Sequence, residues 1–536
     1  MDLTIPASAD YIVVGAGSAG CVLAARLSED PSVTVLLVEA GGPDNNPVIH
    51  VPVGYVKTLG DPRYDWCYPC GPEPGLGDRS VLYTRGKVLG GSSSVNGLAW
   101  VRGGRADYDA WATLGCNGWD WDSVLPYFMR AENFAPGGPG RGQSGPVPVA
   151  FNPGWHEASQ KLLDASLEAG LPAAHDHNAE APLGLSRAQL NWRGGRRMSS
   201  AASYLKPARS RPNLQVLTDS TVLRLVIENG EAKGILVRTP SGQKEIKAAR
   251  EVVLSAGALG SPLLLEQSGI GDPARLAALG IPVVANAPEV GENLQDHLLV
   301  MCKHQLRNVG TINEQSGPLH TAWNEVRYSL SRTGLLSGTP TEVVGYGLTD
   351  GESGAANVQF FGAPITYSMT NKDGKVAVVV DRAPGLSFGM YQCRPRSRGR
   401  VHLKDTNGSA AIVGNYLTVE EDRRVIVAGL RLCRKILAQP AIAPFVVQEI
   451  GPGEAAQSDE ALLDYARAAG YTAYHAVGSC RMGSDPKSVV DLQLRVRGVG
   501  RLRVVDASVM PALVGANTHA PTVMIAERAA DMIRGR

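Results

Sequence analysis

The chain has 536 residues, in which 52 Lys and Arg nearly balance 51 Asp and Glu for a formal charge of +1. That length implies roughly two to four domains' worth of structure, and near-neutrality gives no electrostatic case for nucleic acid or an anionic membrane. The 62 glycines are in excess but follow no strict period, which excludes collagen, and 44% hydrophobic content with scattered charge is globular rather than disordered.

From the N-terminus, Tyr11-Ile12-Val13-Val14 reads as a buried parallel strand. Gly15-Ala16-Gly17-Ser18-Ala19-Gly20 follows, then a helix with Val22, Leu23 and Leu27 on one face and Arg26, Glu29 and Asp30 on another. Val33 to Val38 is a second strand, ending at Glu39. Strand, G-x-G-x-x-G turn, helix, strand and an acid about 20 positions on form the complete setting of a dinucleotide fingerprint. Gly15 permits the tight turn, Gly17 lets a pyrophosphate approach the backbone, and Gly20 lets the helix pack on the strand. Ser18 and Ala19 open the helix, whose N-terminus offers free N–H groups to phosphate. Glu39, followed by Ala40, is placed to accept the hydroxyl protons of an adenosine ribose. A second fingerprint for a nicotinamide nucleotide is missing, which favours FAD over NAD and electrons taken directly from substrate. The same stretch is not a signal-peptide core, because the charges upstream are Asp2 and Asp10. No span of about 20 uncharged apolar residues exists, so no integral membrane association is expected. The chain reads as soluble and cytoplasmic.

Cys67 and Cys70 form a C-x-x-C in a loop-like setting with no second pair, which argues against zinc or a redox motif. Arg85 to Gly97 is a run of small residues with apolar Val88, Leu89 and Val95 inside it, as in a buried, shaped loop whose backbone faces a ligand. Pro136 to Pro148 reads as a boundary or surface loop. His175 and His177 lie in a polar loop without a third ligand. Leu214 to Leu254 is β-rich, with turns at Asn229-Gly230 and Ser241-Gly242. Glu251 to Ser255 is a buried strand that leads through Ala256-Gly257 into a helix, with Pro262 in its first turn. His297 to Pro452 has strands and long loops without nucleotide signals and reads as a substrate-facing region. Leu502 to Asp506 is again a strand ending in an acid, and a last helix runs from near Pro521 to about Arg534.

These blocks resemble the glucose–methanol–choline (GMC) family of flavin-dependent alcohol oxidoreductases over essentially the whole chain. The resemblance rests on the first fingerprint ending Glu39-Ala40-Gly41, on Arg85-Gly86-Lys87-Val88-Leu89-Gly90-Gly91-Ser92-Ser93 through Asn96, and on Ser255-Ala256-Gly257 through Gly271. It continues in Asn293-Leu294-Gln295-Asp296-His297, Tyr474-His475 through Gly483, Val505-Asp506-Ala507-Ser508 and Asn517-Thr518-His519. The nearest flavour is that of bacterial choline-dehydrogenase-like and aryl-alcohol- or hydroxymethylfurfural-oxidase-like members.

The resemblance implies an α/β chain, α+β overall. A Rossmann-like FAD-binding domain (1–155, 195–300 and 461–536) is interleaved with a substrate domain of antiparallel sheet plus helices (156–194 and 301–460). It implies oxidation of an alcohol to an aldehyde or ketone, with hydride passing to flavin N5. Molecular oxygen or another electron acceptor would then take the electrons. His475 matches the family's base and His519 the second position of its pair; which of the two holds the proton is left open, and His297 is read as structural. An alcohol must approach alkoxide character before hydride leaves, so a base within hydrogen-bond reach is required, and a neutral histidine meets that need. No metal is called for. For FAD, Gly91, Asn96 and Gly97 should line the flavin, with Arg85 and Val88 in the same block. Val222 should contact adenine through its backbone. Ala256, Asp506 and Ala507 should hold the ribityl or pyrophosphate region, and the last helix from Ala520 the pyrimidine edge. Some members attach FAD through a histidine one residue before the Asn; here that residue is Val95, so non-covalent FAD is expected. The rival reading is an FAD-containing hydroxynitrile lyase with no net redox. Trp66, Trp100, Trp323 and Tyr474 are candidates to approach a small alcohol.

Overall fold

The computed structural model describes residues 5–349, 351–372 and 375–535. Strand β1 (Ser8–Val14), helix α1 (Ser18–Leu27) and strand β2 (Val35–Val38) form the expected opening unit. The strands pair in parallel from Tyr11 with Val35 to Val14 with Val38, and all four residues of β2 are buried. Covered on both faces, such strands need unbroken β-branched and aliphatic runs, and that is what the sequence supplies.

The sheet grows from separated stretches of chain. Strand β3 (Leu214–Leu217) joins β2 in parallel, and on the other side β1 takes the long strand β6 (Gly242–Leu254), also in parallel. Between β3 and β6, strands β4 (Thr221–Glu228) and β5 (Glu231–Thr239) run as an antiparallel meander onto β6. The hairpin between β4 and β5 turns at Asn229 and Gly230, both with positive φ, as a tight two-residue turn requires.

Helix α2 (Gly257–Gln267) leaves the end of β6 and starts five residues before Pro262, which lies inside it. The expected start near Pro262 is corrected by a cap from far along the chain. The Asp506 carboxylate accepts from Gly257 N–H at 2.9 Å and from Ser261 Oγ at 2.6 Å. No local signal carries that information.

A second sheet is built of antiparallel pairs. Its strands are β7 (Leu298–Leu306), β8 (Val343–Gly347), β9 (Val358–Ala363), β10 (Gly385–Gln392) and β11 (Val446–Gly451). They run in the order β11-β7-β10-β9-β8, with Gly184–Arg187 at the edge beyond β8. Helix α3 (Glu420–Leu437) is acidic in its first turn, basic in its last, and buries its apolar stripe, as a dipole-matched amphipathic helix should. The chain then returns to the first sheet: β12 (Leu502–Val504) pairs in parallel with β6, and α4 (His519–Arg534) packs against α1. Helix α4 begins two residues before Pro521, so the proline falls in the first turn, where its missing N–H has no intrahelical partner to lose. Two large buried apolar clusters follow the two sheets. No helix among the described residues is long and apolar enough to cross a membrane.

Candidate active site

A cavity of about 1430 Å³ runs from the β1–α1 turn to the second sheet. It exceeds the roughly 300–1,000 Å³ of an ordinary small-ligand pocket. At the nucleotide end it is lined by Gly15, Gly17, Ser18, Ala19, Glu39 and Ala40, with Val222 and Ala256 beyond them. In the middle it meets Arg85, Gly91, Val95, Asn96 and Gly97, together with Asp506 and Ala507. At the far end it reaches His475, Asn517, His519, Phe361 and Tyr391.

The shape of the turn tests whether a dinucleotide fits. A Cβ on Gly20 would lie 1.8 Å from the Gly15 carbonyl oxygen, and one on Gly15, at φ +97°, 2.5 Å from that of Ser255. A Cβ on Gly17 would meet nothing nearer than 3.9 Å, so the backbone is bare toward the cavity. Helix α1 carries no side-chain cap on its N-terminus. Bare N–H groups, missing Cβ atoms and cavity length together suit the pyrophosphate of an extended FAD. The Glu39 oxygens accept one backbone N–H each, from Ala16 (2.8 Å) and Gly41 (2.9 Å). Those bonds leave lone pairs for ribose hydroxyls. Burial, opposed by these N–H bonds, pushes its carboxyl up to about 7.

Three expected cofactor residues do not line the cavity. Val88 is buried with Ile49 and Val95 beneath the glycine-rich loop. Gly20 acts through helix packing, and Ala520 is buried in the first turn of α4. Asp506 reaches the wall, but its carboxylate accepts from Gly257, Ser261 and the Ser508 N–H (2.8 Å), which makes it first a clamp on backbone. Asn96 Oδ1 is held by the guanidinium of the buried Arg197 at 2.7 Å.

His475 follows the short strand Tyr471–Thr472, which pairs with β7, and Tyr474 before it takes a left-handed φ of 62°. The buried Asp296 fixes the spot. One of its oxygens accepts the backbone N–H groups of His475 (2.7 Å) and His297 (2.9 Å), the other the hydroxyls of Tyr416 (2.6 Å) and Thr472. His475 Nδ1 lies 3.0 Å from His297 Nδ1, and its Nε2 lies 3.1 Å from Asn517 Nδ2. Burial, reinforced by His297 and Arg85, holds the His475 imidazolium well below the usual histidine range. Arg85 donates to the Tyr474 carbonyl at 2.7 Å.

The expected pairing of His475 with His519 is not what the structure shows at the hydrogen-bond level. His519 Nδ1 faces Ser18 Oγ at 3.1 Å, and its ring meets the edge of Trp100 at 5.7 Å. Burial, with Arg197 second, pushes it down to about 4. Asn517, two residues earlier, takes the place beside His475, because α4 begins at His519 and turns that ring toward α1. Asn517 stands in the same sequence block, but no local pattern distinguishes the two positions. Gln359 on β9 and Tyr391 on β10 complete the environment and carried no sequence signal beyond a polar residue within an apolar run. Trp66 and Tyr474 line the cavity, Trp100 packs behind His519, and Trp323 is 63% exposed. His177 is buried against Ser186 and the Trp100 carbonyl, and His175 is exposed. Cys70 contacts Glu73 at 2.9 Å, and burial pushes the Cys67 thiol up to about 11. Among the described residues no cluster of His, Cys, Asp or Glu is arranged to hold a metal.

Comparison with known proteins agrees with this architecture. Models of the GMC oxidoreductase family match residues 9–299 and 395–526. An alcohol dehydrogenase [acceptor] of Pseudomonas putida is 38% identical, over 98% of this chain and 95% of its own. An oxygen-dependent choline dehydrogenase of Staphylococcus xylosus is 38% identical, over 99% of this chain and 95% of its own. The crystal structure of pyridoxine 4-oxidase from Mesorbium loti superposes with a TM-score of 0.88 at 32% identity, covering 99% of this chain and 100% of that one.

Proposed function

The chain belongs to the GMC oxidoreductases, FAD enzymes acting on CH–OH donors, and we propose that in it His475 takes the hydroxyl proton of a small alcohol bound at the far end of the cavity. FAD, when bound along the nucleotide end, supplies the two-electron acceptor for the hydride. The observation that carries the reading is the environment of His475 Nε2. It lies beside the Asn517 amide and the cavity, on a ring that burial keeps neutral. A neutral imidazole in hydrogen-bond reach accepts the hydroxyl proton as negative charge grows on oxygen, and the Asn517 amide N–H is placed to stabilise that charge. His519, at the N-terminus of α4 beside Ser18, then lies on the cofactor side of the site and supports it there. The same reading assigns residues 1–155, 195–300 and 461–536 to FAD and 156–194 with 301–460 to substrate, in a cytoplasmic enzyme.

The test is anaerobic mixing of the holoenzyme with aliphatic, aryl and furan alcohols and choline, followed by air. At least one alcohol should bleach the flavin absorbance at ~450 nm, since the hydride must reach the cofactor. No bleaching by any of them would overturn the reading and favour a lyase without net redox. The rate of colour return in air then separates oxidase from dehydrogenase. Attachment is expected to be non-covalent, because Val95 has no nucleophilic atom and packs with Ile49 and Val88. Acid precipitation should release all yellow colour into the supernatant.

A further inference from the structure

Five hydrogen bonds join six groups in a row through the far end of the cavity. The Tyr391 hydroxyl lies 2.5 Å from Gln359 Oε1, and Gln359 Nε2 lies 3.2 Å from Asn517 Oδ1. Asn517 Nδ2 lies 3.1 Å from His475 Nε2, and His475 Nδ1 lies 3.0 Å from His297 Nδ1. His297 Nε2 ends the row at the Cys393 carbonyl oxygen, 2.9 Å away.

A carbonyl oxygen only accepts, so His297 carries its proton on Nε2. Burial pushes that ring down to about 3, so it is neutral and its Nδ1 is bare. His475 Nδ1 must then donate, which leaves the lone pair of a neutral His475 on Nε2. Asn517 meets that lone pair with Nδ2, and its Oδ1 accepts from Gln359, whose own oxygen accepts from Tyr391. Every bond points toward Cys393. One backbone carbonyl thus orders the other five groups, and the stacking of His297 on Tyr391, 3.9 Å between centroids, ties the two ends together.

We propose that His297, Gln359 and Tyr391 are positioning residues that lock His475 in the Nδ1–H tautomer, with its lone pair at Nε2 toward the cavity, and hold it unprotonated until substrate arrives. A proton on Nε2 would face the Asn517 N–H. Relief requires the Asn517 and Gln359 amides each to turn over and the Tyr391 hydroxyl to swing round, in a site where Gln359 and Tyr391 are fully buried. The other groups facing His475 act in known senses. The Arg85 cation opposes protonation, the Asp296 carboxylate is engaged by backbone N–H groups and hydroxyls, and the Tyr391 and Tyr474 phenols are held neutral by burial. An arriving hydroxyl replaces Asn517 at Nε2, and the row need not turn.

The catalytic consequence rests on His475 being the base; the protonation state does not, and it can be read without substrate. The probe is nitrogen-15 NMR of holoenzyme labelled at histidine, with His475→Gln and His297→Gln spectra for assignment. His475 should carry its proton on Nδ1 and His297 on Nε2, and both should stay neutral well below the unperturbed histidine value of about 6.5. Gln359→Leu frees the Asn517 amide to present Oδ1 to His475, so His475 should titrate at least tenfold more readily, about one pH unit higher. A merely structural Gln359 would not move that titration. An Nε2–H tautomer in the wild type, or an unmoved titration in folded, FAD-loaded Gln359→Leu, would overturn the proposal. Should Gln359→Leu fail to fold, the wild-type tautomer still decides, and Tyr391→Phe, which removes one hydroxyl, should shift the titration the same way. Flavin bleaching that fails with the tautomers as stated would sink the alcohol-oxidation reading and leave this one standing.

Discussion

The base proposed here, His475, owes its character to position. Its ring is buried, its backbone is pinned by Asp296, and its acidity is shifted so that the neutral form persists into acid. Replacing it with Ala removes the proton acceptor but none of the residues at the nucleotide end of the cavity. His475→Ala should therefore slow flavin reduction by ~10²-fold or more with FAD still bound, as read by stopped flow. The pH dependence has a definite sign. Protonation disables the base, and burial lowers the pH at which it occurs, so the wild-type rate of reduction should stay level between pH 8 and 6. An acid limb centred at about 6.5, the unperturbed histidine value, would contradict this. The placement of His475 on the cavity was legible in the sequence, because the residue stands in a block with a recognisable order. Asn517 was not told apart from His519, since only the phase of α4 decides which of the two side chains turns to His475.

At the scale of elements, the β1–α1–β2 unit was fully legible: periodicity gave the strands and the glycine spacing gave the turn. Its tightest point makes a sharp prediction. The Cβ of Gly20→Ala would sit 1.8 Å from a backbone oxygen, which cannot rotate away as a side chain would. Helix α1 must then lift off β1 and carry Ser18, Ala19 and the bare N–H groups with it. The variant should fail to retain FAD, measured as the ratio of ~450 nm to protein absorbance after reconstitution, and should melt lower than the wild-type apoprotein. Normal flavin content would show that the helix is free to shift. Helix α2 is the opposite case. Its start is set by Asp506, which lies 249 positions from Gly257, and Pro262 alone pointed to the wrong residue. Caps borrowed from distant chain have no local pattern, so sequence reading misplaces such boundaries by a turn.

For the whole molecule, two sheets from interleaved stretches converge on one cavity, and the convergence buries titratable groups that surface loops would leave in water. His177, His297, His304, His475 and His519 are all shifted downward with burial as the leading cause. Unfolded, each takes a proton near pH 6.5; folded, each resists it to about 4 or lower where the shift is quantified. Between those values the unfolded state binds more protons, so stability present above pH 6.5 is lost as pH falls, by roughly 1.4 kcal/mol per group per pH unit at most. Glu39, Asp296 and Asp506 act in the other direction, because burial raises them and the folded state holds their protons more firmly over part of the same range. His402, raised against burial by its hydrogen bonds to Glu266 and Glu292, acts with them, and the lowered histidines, His50 included, still outnumber these four. Carboxylates held low by partners, such as Asp485 at about 2 beside Arg481, add to the acid loss below their unfolded values near 4. The melting temperature of the apoprotein should therefore fall steadily from pH 7 to pH 5, with the steepest part below about 6.5. A flat or rising profile across that interval would mean that the buried histidines do not outweigh the raised groups, and it would count against the neutral histidine on which the proposed chemistry depends.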